Sequence, residues 1–150
     1  MNTSFSTPGK ARQGASCIRH QCLKKNVALL IVASHPTVKY VGTTSTSYQL
    51  QAMNKVRKAL SIGGPTFIQC LKTCPKSWDF DPAIACEPGE LAVNTSIWPL
   101  NEVENGKPSV YGKTEQIAKG KFKRLRVRDY LLRQGRFAHF TDEDIAYFQI

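Results

Sequence analysis

The stretch from Val38 to Leu71 constrains the fold more than any other part of the chain. It reads "VKYVGT", then "SYQLQAMNKVRKALSIGG", then "PTFIQCL". The outer two pieces have strand composition, and the second of them reads as a buried strand. The middle piece carries a helical period, with Leu50, Met53, Val56, Ala59 and Leu60 forming one apolar stripe. Ser47 is placed to cap that helix, Lys55, Arg57 and Lys58 suit its C-terminal half, and Gly63–Gly64 stop it. Strand, helix and strand at this spacing make a βαβ unit. The two strands are therefore expected side by side and parallel, joined by a right-handed crossover. The fold class that follows is α/β, a parallel or mixed sheet flanked by helices.

The flanking segments add to this unit. Residues 1 to 26, rich in Ser, Thr, Gly and basic side chains, have no apolar period and read as loop. "VALLIVAS", Val27 to Ser34, fits a helix capped by Asn26 or a buried strand, and its periodicity does not decide. "GELAVNTSI" suggests a short helix, and "IWPLNEVENGKPSVYG" a hairpin turning at Asn105–Gly106. The chain closes with a helix near Val127 to Gln134 and another at "TDEDIAYFQI", where Asp142 to Asp144 suit the first turn.

Charge is unevenly placed along the 150 residues, whose net charge is +10. No Asp or Glu precedes Asp79, so the first half offers neither a carboxylate base nor a carboxylate metal ligand. A basic half suits a phosphate-bearing partner or an acidic protein surface. A non-catalytic module binding RNA or DNA is thus an alternative reading, but no aromatic stacking motif or nucleic-acid signature accompanies the charge, which disfavours it. "KGKFKRLRVRDYLLRQGR", Lys119 to Arg136, interleaves Phe122, Leu125, Val127, Leu131 and Leu132, and reads as an amphipathic segment docked on a core. No apolar run approaches the roughly 18 residues that span a bilayer. "VALLIVA" is too short and lies too late for a signal peptide, so a cytoplasmic location is expected.

Cysteines carry the most chemical signal. Cys17, Cys22, Cys70, Cys74 and Cys86 make an odd count with no CxxC pair, which argues against a disulfide framework and a complete zinc site. Ligands of parallel sheets collect at the carboxyl ends of strands. "KTCPKSW" follows the Thr66–Leu71 strand directly. Cys70 falls within that strand and is expected in the core. Cys74 falls in the loop, beside Pro75, which fixes the backbone and leaves one fewer amide to satisfy. A strand end, half of a metal site and one ligand of a redox cluster all remain open at this point.

The order of these pieces resembles the beta subunit of pyruvate:ferredoxin oxidoreductase and its 2-oxoacid relatives, in its thiamine diphosphate-binding domain. The matching residues are "MNT" at the start, "KKNVALLIVASHPTVKYVGTTSTSY", "RKALSIGGPTFIQCLKTCPKSW", "LAVNTSIWPLNEVENGKPSVYG" and "YLLRQGRFAHF". The resemblance implies that Val27–Ser34 is a helix followed by a strand. It implies a loop region over residues 1–26, half of a thiamine diphosphate-binding domain over 27–104 and a C-terminal tail over 105–150.

The resemblance also implies cofactors. In the family, four cysteines hold a 4Fe–4S cluster near thiamine diphosphate and magnesium, and the last of the four sits in a Cys–Pro–x–x–Trp loop, matched here by Cys74. One thiolate cannot hold a cluster that needs four. The family's other three positions have no match here, and Cys17, Cys22, Cys70 and Cys86 match no family ligand. Asn2 inherits the role of the "MNT" asparagine, an amide that hydrogen-bonds substrate carboxylate or a charged intermediate beside the cofactor, with Thr3 next to it. Ser4 stands where the family has glycine, Ser77 replaces a glycine before Trp78, and the Gly-Asp-Gly half of the cofactor motif is absent. The expectation is therefore a C-terminal fragment of such a subunit, inactive alone. The complete enzyme would decarboxylate pyruvate with coenzyme A and pass electrons to ferredoxin, working with alpha, gamma and delta subunits.

Overall fold

The computed structural model describes residues 26–147. Asn26 caps α1 (Val27–Ser34), its side-chain oxygen accepting from the Leu29 amide at 3.1 Å. The short polar cap resolves the ambiguous run as a helix. Then come β1 (Tyr40–Ser45), α2 (Gln49–Ser61) and β2 (Thr66–Leu71). β1 and β2 pair in parallel, with Tyr40 opposite Thr66 and Ser45 opposite Leu71. Both α1 and α2 lie against this pair. The chain continues through α3 (Pro75–Trp78), α4 (Glu87–Asn94), the hairpin β3 (Asn101–Glu104) and β4 (Lys107–Val110), α5 (Gly112–Ala118), α6 (Val127–Leu132) and α7 (Asp142–Tyr147).

β3 runs antiparallel to β1, giving a four-stranded mixed sheet in the order β2-β1-β3-β4. The architecture is the α/β sheet flanked by helices that the βαβ unit demanded. The hairpin turns on Asn105 and Gly106, whose φ angles of 47° and 78° are left-handed. Two such residues in succession make the tight turn whose twist suits antiparallel strands.

One core lies beyond the sheet, where Trp78, Ala92, Val93, Leu100, Tyr130, Leu131 and Phe137 pack together. The "LRVRDYLL" segment docks here through Val127, Tyr130 and Leu131, as its amphipathic spacing predicts. α7 contributes Ile145, and Asp142 of its first turn pairs with Arg128.

α2 differs from expectation in three ways. Ser47 does not cap it; the cap position is Tyr48, with no side-chain bond. Apart from Ala59, the expected apolar stripe faces outward, with Leu50 71% exposed and Leu60 82%. The inward row is Lys55 and Ala59, both buried. The small Ala59 side chain lets the helix sit close to the sheet, and Lys55, 2% exposed, fills what remains. Its Nζ donates to the carbonyls of Thr43 at 2.7 Å and Asn101 at 2.9 Å, just past the point where the β1–β3 pairing ends at Gly42–Glu102. A lysine reaches carbonyls that the sheet ladder leaves over, which an aliphatic residue cannot do.

Cys70 is a further correction. It is exposed rather than in the core. Its strand, β2, is at the edge of the sheet, so no neighbouring strand lies beyond it among the described residues.

Candidate functional site

Four devices fix the loop past β2. The buried Thr73 hydroxyl donates to the Ala85 carbonyl at 2.7 Å, anchoring the backbone just before Cys74. Pro75 opens α3, and the Trp78 amide bonds back to the Cys74 carbonyl at 2.9 Å. Asp79 ends the short helix in a left-handed conformation, φ 57°, and its carbonyl accepts from the Gly135 amide at 2.8 Å. Trp78 drops into the core, where its ring meets Tyr130 edge-on at 6.4 Å.

The fourth device is the burial of Trp78 together with Arg136. Arg136 is fully buried, with its guanidinium 4.1 Å from the Trp78 ring and 4.7 Å from the Phe137 ring. Gln134 holds it: the side-chain oxygen accepts from Arg136 Nε at 2.9 Å, while the side-chain amide donates to the Tyr130 carbonyl at 2.8 Å. Burial lowers the Arg136 pKa to about 10, and the Tyr130 hydroxyl beside it works in the opposite direction. Stacking on two aromatic faces suits a weakly hydrated planar cation. "RQGRF" is thus the clamp on the tryptophan that follows the cysteine. Neither Gln134 nor Arg136 stands out as a functional residue from sequence spacing; the signal was the joint occurrence of "CPKSW" and "LRQGRF" in one chain.

This scaffold presents Cys74 to solvent. The Ser77 hydroxyl and amide, with the Lys76 amide and the Lys72 charge, hold its thiol below the ordinary cysteine range. Cys70, by contrast, has its thiol pushed up by burial of the sulfur against its surroundings. Both residues are exposed, and the thiolate-favouring one is the one in the loop. Two pockets among the described residues, of about 270 Å³ beside His35 and Val103 and about 130 Å³ beside Gln69 and Trp98, are not lined by Cys74.

The donor chemistry at Cys74 fits one ligand of an iron–sulfur cluster. It does not fit a complete set: among the described residues no three His, Cys, Asp or Glu side chains cluster as metal ligands. Cys70 and Cys86 are free thiols that join no such group. Asn2 and Thr3, the residues expected beside thiamine diphosphate, and Cys17 and Cys22 lie outside the described residues.

The chain is 40% identical over 148 residues to pyruvate synthase subunit PorB of Methanocaldococcus jannaschii, a match covering 99% of this chain and 47% of that one. The chain resembles pyruvate synthase subunit PorB. The subunit PorB of Pyrococcus furiosus is 37% identical over 149 residues, covering 91% of this chain and 43% of the relative. Ketoisovalerate oxidoreductase subunit VorB of the same organism is 34% identical over 144 residues, or 96% of this chain and 43% of its own length. No protein-family model matches. The chain spans less than half the length of the relatives it matches. Those relatives are subunits of enzymes named for two 2-oxoacids, and none of the described helices is long and apolar enough to cross a membrane.

Proposed function

We propose that this chain is the C-terminal part of the beta subunit of a 2-oxoacid:ferredoxin oxidoreductase, with pyruvate as the favoured substrate. The observation that carries the reading is similarity to PorB along 99% of the chain, with the loop cysteine exposed at the carboxyl end of a parallel strand. In this reading Cys74 gives one thiolate to a 4Fe–4S cluster whose other three come from a polypeptide corresponding to the rest of the relatives' length. The cluster would supply single-electron transfer. The chain's own residues do the positioning: Thr73 and Pro75 set the loop, Trp78 and Arg136 lock it to the core, and Ser77 favours the thiolate. Asn2 and Thr3 would face thiamine diphosphate, with magnesium bound outside this chain. The chain would work with other subunits (alpha, gamma, delta), and electrons would pass through clusters to ferredoxin. Alone, the chain has no pyruvate oxidation activity.

The test is co-production with a polypeptide covering the remaining length of a PorB relative. The reconstituted protein should contain iron and show a reduced-cluster paramagnetic signal, and Cys74→Ser should lose both while Cys70→Ala keeps both. Pyruvate-dependent methyl viologen reduction, with coenzyme A, thiamine diphosphate and magnesium, should require both polypeptides. Full iron content in Cys74→Ser, or turnover by this chain alone, would overturn the proposal.

A further inference from the structure

The outward face of α2 is built like one side of a helix–helix seam. Leu50, Met53, Arg57 and Leu60 follow one another at intervals of three, four and three residues, which is the spacing of alternating core positions in a heptad. All four are exposed, and Val56, also exposed, flanks them. Scattered exposed leucines need no explanation, but an apolar row along a helix of 13 residues, broken only by Arg57, marks a contact surface. The inward side of α2 is already committed to the sheet through Lys55 and Ala59.

Charge decides what covers this face. α2 has three cations and no Asp or Glu. Lys55 is spent on the Thr43 and Asn101 carbonyls, and Lys58 on Glu102 and Glu104 at 2.9 and 2.8 Å. Arg57 stands in the seam itself with no carboxylate paired to it among the described residues. A second copy docked antiparallel would set each Arg57 against Met53 of the other, and docked parallel would set Arg57 against Arg57. Either way two guanidinium groups lose water with no counter-charge, which is strongly unfavourable. A partner helix with a carboxylate at the facing core position removes the penalty and fixes register, as single polar core residues do in coiled coils.

We propose that the Leu50–Met53–Arg57–Leu60 face of α2 docks an amphipathic helix of another polypeptide, apolar at its facing positions and carrying a Glu or Asp opposite Arg57. The proposal concerns a different surface from the Cys74 loop and does not depend on any cofactor.

Two labelled synthetic peptides of three heptads, with Leu at core positions, provide the probe. One carries Glu at the central core position and at the flanking positions; the other carries Lys at each of these. Fluorescence anisotropy with the full chain should show the Glu peptide binding at least tenfold tighter than the Lys peptide, with weaker binding at 500 mM than at 50 mM NaCl. Leu50→Ser/Leu60→Ser should abolish binding, and Arg57→Glu should invert the preference between the peptides. These residues are exposed, so an unchanged circular dichroism spectrum is expected for each variant. Equal binding of both peptides, or none, overturns the proposal. A dimer in light scattering that Leu60→Ser dissolves overturns it in favour of a second copy. Adsorption to vesicles of one-third phosphatidylserine that needs Leu50 and Leu60 overturns it in favour of a membrane surface.

Discussion

At Cys74 the thiolate is stabilised first by the Ser77 hydroxyl, so the sulfur ionises at lower pH than an ordinary cysteine. Its alkylation by iodoacetamide, followed by peptide mapping as a function of pH, should have a midpoint below that of Cys70, whose thiol is pushed upward. Ser77→Gly should move the Cys74 midpoint upward while leaving Cys70 unmoved; identical Cys74 profiles in the two proteins would refute the hydroxyl's role. Lys55 is the other informative residue. Burial lowers its pKa to about 8, below the ordinary lysine value of about 10.4. Between those values the unfolded chain holds more protons than the folded one, so the Lys55 contribution to stability rises with pH through this window. Lys55→Met abolishes that rise and strands two carbonyls, costing about 2–4 kcal/mol, while Glu102 keeps its bond to Lys58. Urea melts at pH 7 and pH 9.5 check both points: the gap between wild type and variant should be wider at pH 9.5.

Among the elements, the pair α3 and the turn after α6 decides where the cysteine loop sits, and Gly135 is its tightest point. A Cβ there would lie 2.7 Å from the Asp79 backbone oxygen, which no side-chain rotation relieves. Gly135→Ala should therefore destabilise the chain by about 1–3 kcal/mol and loosen the Cys74 loop. Urea denaturation gives the first, and faster exchange of the Trp78 and Phe80 amides the second; full stability would show that α3 is not held by this contact. The βαβ unit and the hairpin are legible in sequence because period and turn chemistry are local properties: Gly63–Gly64, Asn105–Gly106 and β2 lie where their residues predict, while β1 starts and ends two residues later than the expected Val38–Thr43. The direction in which α2 faces is not local. A period identifies a stripe without saying which side the sheet takes, and the buried row turned out to be Lys55 and Ala59 because the sheet offered leftover carbonyls. Exposure of Cys70 follows from strand order, which the strand's own residues do not encode. That Cys74 stands exposed in a loop was legible from its place after a strand and before proline, whereas its role as a cluster ligand rests on the family resemblance alone. The Arg136–Trp78 stack that holds its loop joins segments far apart in the chain, with no shared period to announce it.

For the whole molecule the governing quantity is the charge imbalance of 21 Lys and Arg against 11 Asp and Glu. Even if every carboxylate found a partner, ten cations would remain, and a fold that gathers them is destabilised by self-repulsion. Salt acts on two opposing parts of this balance. It weakens exposed pairs such as Lys119–Glu115 and Arg133–Glu87, each worth about 0–1 kcal/mol at most. It screens the buried bonds of Lys55 little, because screening belongs to solvent-exposed charges. It also relieves the repulsion among the unpaired cations, whose separations on a domain of this size are comparable to the Debye length of about 10 Å at 0.1 M. With ten surplus charges against a few weak surface pairs, relief should dominate. The melting temperature is therefore expected to rise by a few degrees between 20 and 300 mM NaCl. Replacing Lys121, Lys123 and Arg124 together by Gln removes part of the exposed surplus in the loop between α5 and α6. That variant should melt higher than wild type at 20 mM NaCl and gain less from added salt. A melting temperature that falls with salt in the wild type would mean that specific ion pairs, chiefly Lys58 with Glu102 and Glu104, outweigh the net field.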